Sequence, residues 1–193
     1  VRTDMPEGVT PQMWSWWFGW HGCDSRRYKL WHPRAHVYAA WQDGAADVQH
    51  YLGRTSVINE YIGSTLLRAA IRFLTPATMG FADEGDAVAV CARLGSSDVP
   101  VDVGWFVHHI RPTARGAEMR SRFWLGGSHI AVRGAPGLAS RAVRAVAPRL
   151  IGTSRSTARD LMVHCAEEMN HLAGFLPALY QRFGQDSSHP ARR

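Results

Sequence analysis

In the segment His164-Cys165-Ala166-Glu167-Glu168-Met169-Asn170-His171, His164 and Glu168 are four residues apart, so on a helix they lie one turn above each other on the same face. An imidazole nitrogen and a carboxylate oxygen on adjacent turns suit a zinc ion, because the backbone fixes the pair before the metal arrives. His171 lies on the same side and Glu167 on the neighbouring edge, so the cluster alone leaves the choice of ligands open. A solvated His–Glu pair is the plainer explanation of this spacing taken by itself. Context weakens that explanation. Leu161, Met162, Leu172, Phe175 and Leu176 make the helix strongly apolar, which brings the cluster against packed surface, where ionisable groups need partners or a metal.

A metal needs further ligands. His21, His32, His36, Glu60, His108, His109 and His129 all stand in apolar or aromatic text. Glu60 is the most conspicuous, a lone carboxylate between Ser56-Val57-Ile58-Asn59 and Tyr61-Ile62 in a stretch expected to be largely buried. Two histidines and two carboxylates would make a zinc site with a position for water or a substrate oxygen. Other chemistries fit less well. Cys165 beside His164 points about a quarter-turn away and shares a proton poorly with it. The chain carries no Gly-x-Ser-x-Gly, phosphate loop or dinucleotide fingerprint.

The elements that must position these groups are an early helix, several strands and a long late helix. Thr10-Pro11 before Met13, Trp14, Trp16, Trp17, Phe18 and Trp20 reads as a capped, very aromatic helix start. Residues 27–41 alternate aromatic and basic side chains around Pro33 and predict extended structure about a turn. Residues 55–74 read mainly as strand, and 87–94, 101–110 and 117–125 as consecutive antiparallel strands separated by turn signals. Helices are predicted over 137–149 and 154–183, the second capped by Ser154 or Ser156 and kinked or broken at Pro177. Residues 1–10 read as a lead-in and 185–193 as a frayed polar tail. This order predicts an α+β domain in which a curved antiparallel sheet wraps a helix and leaves an internal cavity.

Length and composition agree with one domain. The 193 residues, 46% hydrophobic, are enough for one well-cored unit and too few for two ordinary ones. Basic residues exceed acidic ones by six but are scattered, with no run of five, so nucleic acid is not the expected partner. Three cysteines make no disulfide framework and fit a reducing cytoplasm. No apolar stretch reaches the length of a signal core or membrane span. The chain opens on Val1 in already patterned text, from which a longer natural protein is expected.

Taken together, several stretches resemble the diacetylphloroglucinol hydrolases, a family that includes phloretin hydrolase-like enzymes. They are Pro6 to Pro11 leading into Trp14-Ser15-Trp16-Trp17-Phe18-Gly19-Trp20-His21; Arg27-Tyr28-Lys29-Leu30-Trp31 with Pro33 and His36; Glu118-Met119-Arg120-Ser121-Arg122-Phe123-Trp124-Leu125-Gly126; and the run from His164 to Pro177. The resemblance implies a helix-grip fold like that of START domains and birch-pollen allergen (Bet v 1-like). It also implies a zinc ion held by His36, Glu60, His164 and Glu168. The implied reaction hydrolyses the carbon–carbon bond between a phenolic ring and an acyl group, with a small aryl ketone as partner. Tyr28 matches a substrate-contacting tyrosine with a catalytic role. His109 falls where the family has a pocket histidine and is expected to carry a proton; its neighbour His108 and Trp124 complete the expected substrate contacts. Ala39 stands where an asparagine is expected and Trp124 near a second tyrosine, so the resemblance implies the metal set more firmly than the substrate. The family's smaller N-terminal region, associated with dimerisation, has no counterpart in these residues and leaves homodimerisation open. The rival expectation is a non-catalytic helix-grip protein that binds an aromatic molecule.

Overall fold

The computed structural model describes residues 1–46, 50–81, 85–135, 137–150 and 154–184. In chain order the elements are β1 (Arg2–Asp4), α1 (Pro11–Trp20), α2 (Ser25–Trp31), β2 (His36–Trp41), β3 (Thr55–Ile62), β4 (Thr65–Leu74), β5 (Val88–Ser96), β6 (Val101–Thr113), β7 (Gly116–Leu125), β8 (Ala131–Val132), α3 (Gly137–Leu150), α4 (Arg155–Ala173) and α5 (Leu176–Phe183). The eight strands among the described residues form one curved antiparallel sheet in the order β1-β7-β6-β5-β4-β3-β2, with β8 on the start of β6. This is the expected α+β organisation.

Alternation along the strands separates two faces. Val90 and Ala92 on β5, Phe106 and Ile110 on β6, and Ala117 and Met119 on β7 share one core with Trp14, Trp17 and Phe18 of α1, Cys165, Met169 and Leu172 of α4, and Leu176 of α5. We call this the inner face. Ala89, Cys91 and Val107 lie on the outer face under Leu74, Met79, Phe81 and Trp124, in a second, smaller cluster. α4 crosses the inner face in contact with β3 at one end and β1 at the other.

Helix starts follow their caps. Thr10 accepts from Met13 N, with Pro11 in the first turn, and Ser154 accepts from Thr157 N. The four tryptophans of α1 are all buried because the helix packs on two sides, against the sheet and against α5. Trp16 meets Tyr180 edge-on at 5.3 Å and Trp20 stacks on Phe183 at 5.3 Å. Burial of each ring contributes on the order of 3 kcal/mol. Aromatic rings of α1 thus fill the layer between the sheet and α5.

The structure corrects one expectation and sharpens three. Residues 27–31 are helical: Asp24 accepts from Arg26 N, and Tyr28 and Trp31, three apart, bury one helical face. Alternation of aromatic and basic residues mimics a strand there, but the cap and the i, i+3 pair win. The lead-in contains a strand, since Arg2, Thr3 and Asp4 pair with Arg120, Met119 and Glu118. Residues 55–74 are two strands about Gly63, whose φ of +61° suits a residue without a Cβ. The late helix divides at Gly174 and Phe175, and Pro177 lies in the first turn of α5, where its missing N–H costs nothing. The predicted tail at 185–193 lies outside the described residues. Among the described residues no helix is long and apolar enough to cross a membrane.

Candidate metal centre

A bulge at the start of β2 supplies the first ligand. Ala39 and Trp41 point inward, and strict alternation would turn His36, three residues before Ala39, to the other face. Instead the register shifts between His36 and Tyr38, so that His36 pairs with Glu60 while Tyr38 pairs with Asn59. The extra residue, Val37, is exposed, and the shift re-aims His36 inward beside Glu60 on β3. α4 lies over this corner and brings in His164 and Glu168 on successive turns, both buried.

Four side-chain atoms converge. His36 Nε2 lies 3.3 Å from His164 Nε2, 3.5 Å from Glu60 Oε2 and 3.4 Å from Glu168 Oε2. His164 Nε2 lies 3.5 Å from Glu60 Oε2 and 3.7 Å from Glu168 Oε2. A tetrahedral zinc site with bonds of about 2.0–2.1 Å spaces its donors about 3.3–3.4 Å apart. His36, Glu60 and His164 at these separations form a group that could hold a divalent metal, and Glu168 Oε2 lies within the same range of both histidine nitrogens.

The surroundings hold the donors ready. His36 Nδ1–H donates to the Tyr28 carbonyl at 2.9 Å, which leaves the Nε2 lone pair directed at the centre. The Tyr28 ring stacks on His36 at 3.8 Å and 6°, and its hydroxyl donates to Glu60 Oε2 at 2.5 Å. Burial works against the Glu60 carboxylate, but the hydrogen bond from His164 and the charges of His164 and His36 hold it below its usual range. For Glu168 burial dominates and raises it. Burial also disfavours the His164 imidazolium, yet the Glu60 hydrogen bond and the Glu168 and Glu60 charges outweigh it and lift His164 to about 9. In the protein alone a proton on His164 balances the buried carboxylates; a metal cation would take over that role. Burial, then the charge of Glu60, pushes the Tyr28 phenol well above its usual range, so it remains a donor.

The remaining candidates go elsewhere. His171 Nδ1–H donates to the Trp31 carbonyl, and Glu167, about half exposed, pairs with His32 Nε2 at 3.1 Å. His32 stacks on His164 at 4.9 Å. His21 Nδ1–H donates to the Trp17 carbonyl at 2.7 Å, and burial lowers His21 to about 3. His129 lies in a turn beyond β7, where its carbonyl accepts from Arg93. His108 is on the inner face, hydrogen-bonded to Ser121 at 2.8 Å and packed on Phe18 and Phe106; burial keeps it neutral, lowered to about 3.

Two expected site residues are not brought to the centre. His109 follows His108 on β6 and therefore takes the outer face, with its ring 5.1 Å from Phe81. Trp124 packs on that face too, under the Arg122 guanidinium. Sequence reasoning missed the pairing of His32 with Glu167; the only sign of it was the run of His32, His36 and their distant partners in aromatic text. A cleft of about 310 Å³, lined by His32, Arg34, Tyr61, Asp160, Val163 and Glu167 among others, opens to the surface and reaches His164 from outside.

The comparisons bear on what such a centre does. The family model described as DAPG hydrolase PhiG domain matches residues 1–181. A 2,4-diacetylphloroglucinol hydrolase from a Pseudomonas species is 32% identical over 194 residues, covering 92% of this chain and 65% of the relative. That of Pseudomonas protegens is also 32% identical, with 92% and 62% covered. A phloretin hydrolase from Eubacterium ramulus is 30% identical over 190 residues, with 92% and 65% covered. The chain thus spans a little under two thirds of the length of each of these relatives.

Proposed function

The chain belongs to the DAPG hydrolase family, and from that membership we propose that residues 1–193 form one zinc-dependent hydrolase domain. It cleaves the carbon–carbon bond between a phenolic ring and an acyl group and releases a carboxylic acid. The observation that carries the proposal is the largely buried group of His36, Glu60 and His164, with Glu168 Oε2 3.4 and 3.7 Å from the two histidine nitrogens. A curved sheet crossed by a late helix supports a helix-grip fold, and a count of only three cysteines, too few for a disulfide framework, supports a reducing, cytoplasmic setting.

Bound at this centre, zinc would supply a Lewis acid for the acyl oxygen and lower the pKa of a water. The protein's own part is positional. His36 offers Nε2 because Nδ1 is committed to the Tyr28 carbonyl, and Glu60 is oriented by the Tyr28 hydroxyl. His164 must give up its proton to act as a donor atom. His108, neutral and on the inner face, is the member of the His108–His109 pair on the same side of the sheet as the metal centre.

The reaction adds water. The acyl carbon gains the oxygen, the ring–acyl bond breaks, and the ring carbon keeps the electron pair and takes a proton. Ring hydroxyls ortho and para to the acyl group stabilise that carbon as it leaves, which favours polyhydroxylated aryl ketones. Both 2,4-diacetylphloroglucinol and phloretin, named for the relatives, have this pattern. The test is elemental analysis of purified protein and of His164→Ala and Glu60→Ala, together with detection of carboxylic acid from an acylphloroglucinol. Stoichiometric zinc in the wild type, lost in both variants, is expected. A metal-free wild type that binds a phenolic ketone unchanged would leave a non-catalytic binding protein instead.

A further inference from the structure

We propose that Tyr28 is a positioning residue of the metal centre, holding ligands from two different strands through its hydroxyl, its ring and its own carbonyl. The inference rests on the zinc reading above and goes beyond it, since the family resemblance implies a substrate contact for this tyrosine.

The three contacts act on different degrees of freedom. The carbonyl accepts from His36 Nδ1 at 2.9 Å and so selects the tautomer with a free Nε2. The ring lies parallel to the His36 imidazole, 3.8 Å away and at 6°, and fixes its plane. The hydroxyl donates to Glu60 Oε2, the same oxygen that lies 3.5 Å from both His36 Nε2 and His164 Nε2. One carboxylate oxygen is thereby set in orientation before any metal arrives.

Tyr28 is itself anchored. It is buried, its opposite side faces the His21 ring at 5.7 Å and 18°, and Trp31 meets it edge-on at 6.4 Å. With its ring packed against His36 and His21 and its hydroxyl donating to Glu60, the side chain is placed to orient the ligands. α2, started by Asp24, runs directly into β2, so the helix that carries Tyr28 and the strand that carries His36 are one short unit.

The experiment compares zinc affinity of the full chain and of Tyr28→Phe by competition with a chromophoric chelator at fixed pH. Phe keeps the ring and the carbonyl and removes only the hydroxyl, and far-UV circular dichroism checks that the fold is retained. Loss of such an outer partner is expected to weaken zinc about tenfold; Tyr28→Leu, which also removes the stacked ring, weakens it further. Excess zinc then restores turnover of an acylphloroglucinol by Tyr28→Phe with KM unchanged. Equal zinc affinity of wild type and Tyr28→Phe overturns this inference alone, as does a raised KM that excess zinc leaves in place. A wild type that binds no zinc overturns the proposed function as well.

Discussion

Replacement of Glu168 by Gln separates the charge of the fourth donor from its shape, and its effect on stability should change sign with the metal. In the metal-free protein Glu168 is a buried carboxyl that burial raises above its usual range, beside Glu60 of like charge. Gln fills the same volume without the charge, so the metal-free variant is expected to be at least as stable as wild type. With zinc the order reverses. At zinc a thousandfold above its dissociation constant, binding stabilises wild type by about 4 kcal/mol. An outer partner is worth 10- to 100-fold in affinity, so loss of a direct donor should cost at least about 100-fold. The variant then keeps only about 1.4 kcal/mol at the same zinc concentration, a loss of about 2.7 kcal/mol. For a chain of this size that is about 5–11 °C in melting temperature. Thermal unfolding of both proteins with EDTA and with zinc reads all four values. An equal zinc-induced shift in the two proteins would refute the reasoning and leave His36, Glu60 and His164 as a three-donor site.

Other outcomes follow from burial and from the two faces of the sheet. His21 and His108 are held at about 3 in the folded protein, below their ordinary value near 6.5. Their stability contribution is therefore complete above about pH 6.5 and is lost as pH falls toward 3, by up to about 1.4 kcal/mol per unit for each histidine; urea titrations in EDTA should show that slope, reduced in His108→Gln. Phe18→Ala, which opens the core beneath His108, Phe73 and Tyr51, should destabilise by about 3–5 kcal/mol in the same assay. His109→Ala and Trp124→Ala, on the outer face, should leave zinc affinity within twofold of wild type by chelator competition.

How much of the centre could be read beforehand depends on which local rule decides each residue. A turn of helix is 3.6 residues whatever surrounds it, so the partnership of His164 with Glu168 was readable from spacing, and the apolar flanks correctly indicated burial. Glu60 was readable as an unpaired acid in apolar strand text. His36 was not, because its inward direction comes from a bulge, and nothing in the run from His36 to Trp41 marks Val37 as the extra residue. It stood as one candidate among seven, and only the family resemblance singled it out. The engagement of Tyr28 with Glu60 joins residues 32 apart in sequence and depends on α2, whose aromatic and basic alternation reads as strand until the Asp24 cap is weighed.

The adjacent histidines of β6 show the same limit from the other side. Neighbours on a strand face opposite ways, so one of His108 and His109 must point toward the helices and the other away. Choosing between them requires knowing which parity is inside, and the usual marker is apolar residues on one face only. Here Phe106 and Ile110 share the face of His108, while Val107 shares that of His109 and is equally buried under Phe81 and Trp124. A strand covered on both faces has lost that marker. The register with β7 restores it: His108 stands opposite Ser121, between the inward Met119 and Phe123. If either histidine carries the proton expected of His109, parity favours the one a place earlier on the strand. Swapping the pair by His108→Ala and His109→Ala in separate proteins, and measuring turnover at saturating zinc, should show the loss in the first and not in the second.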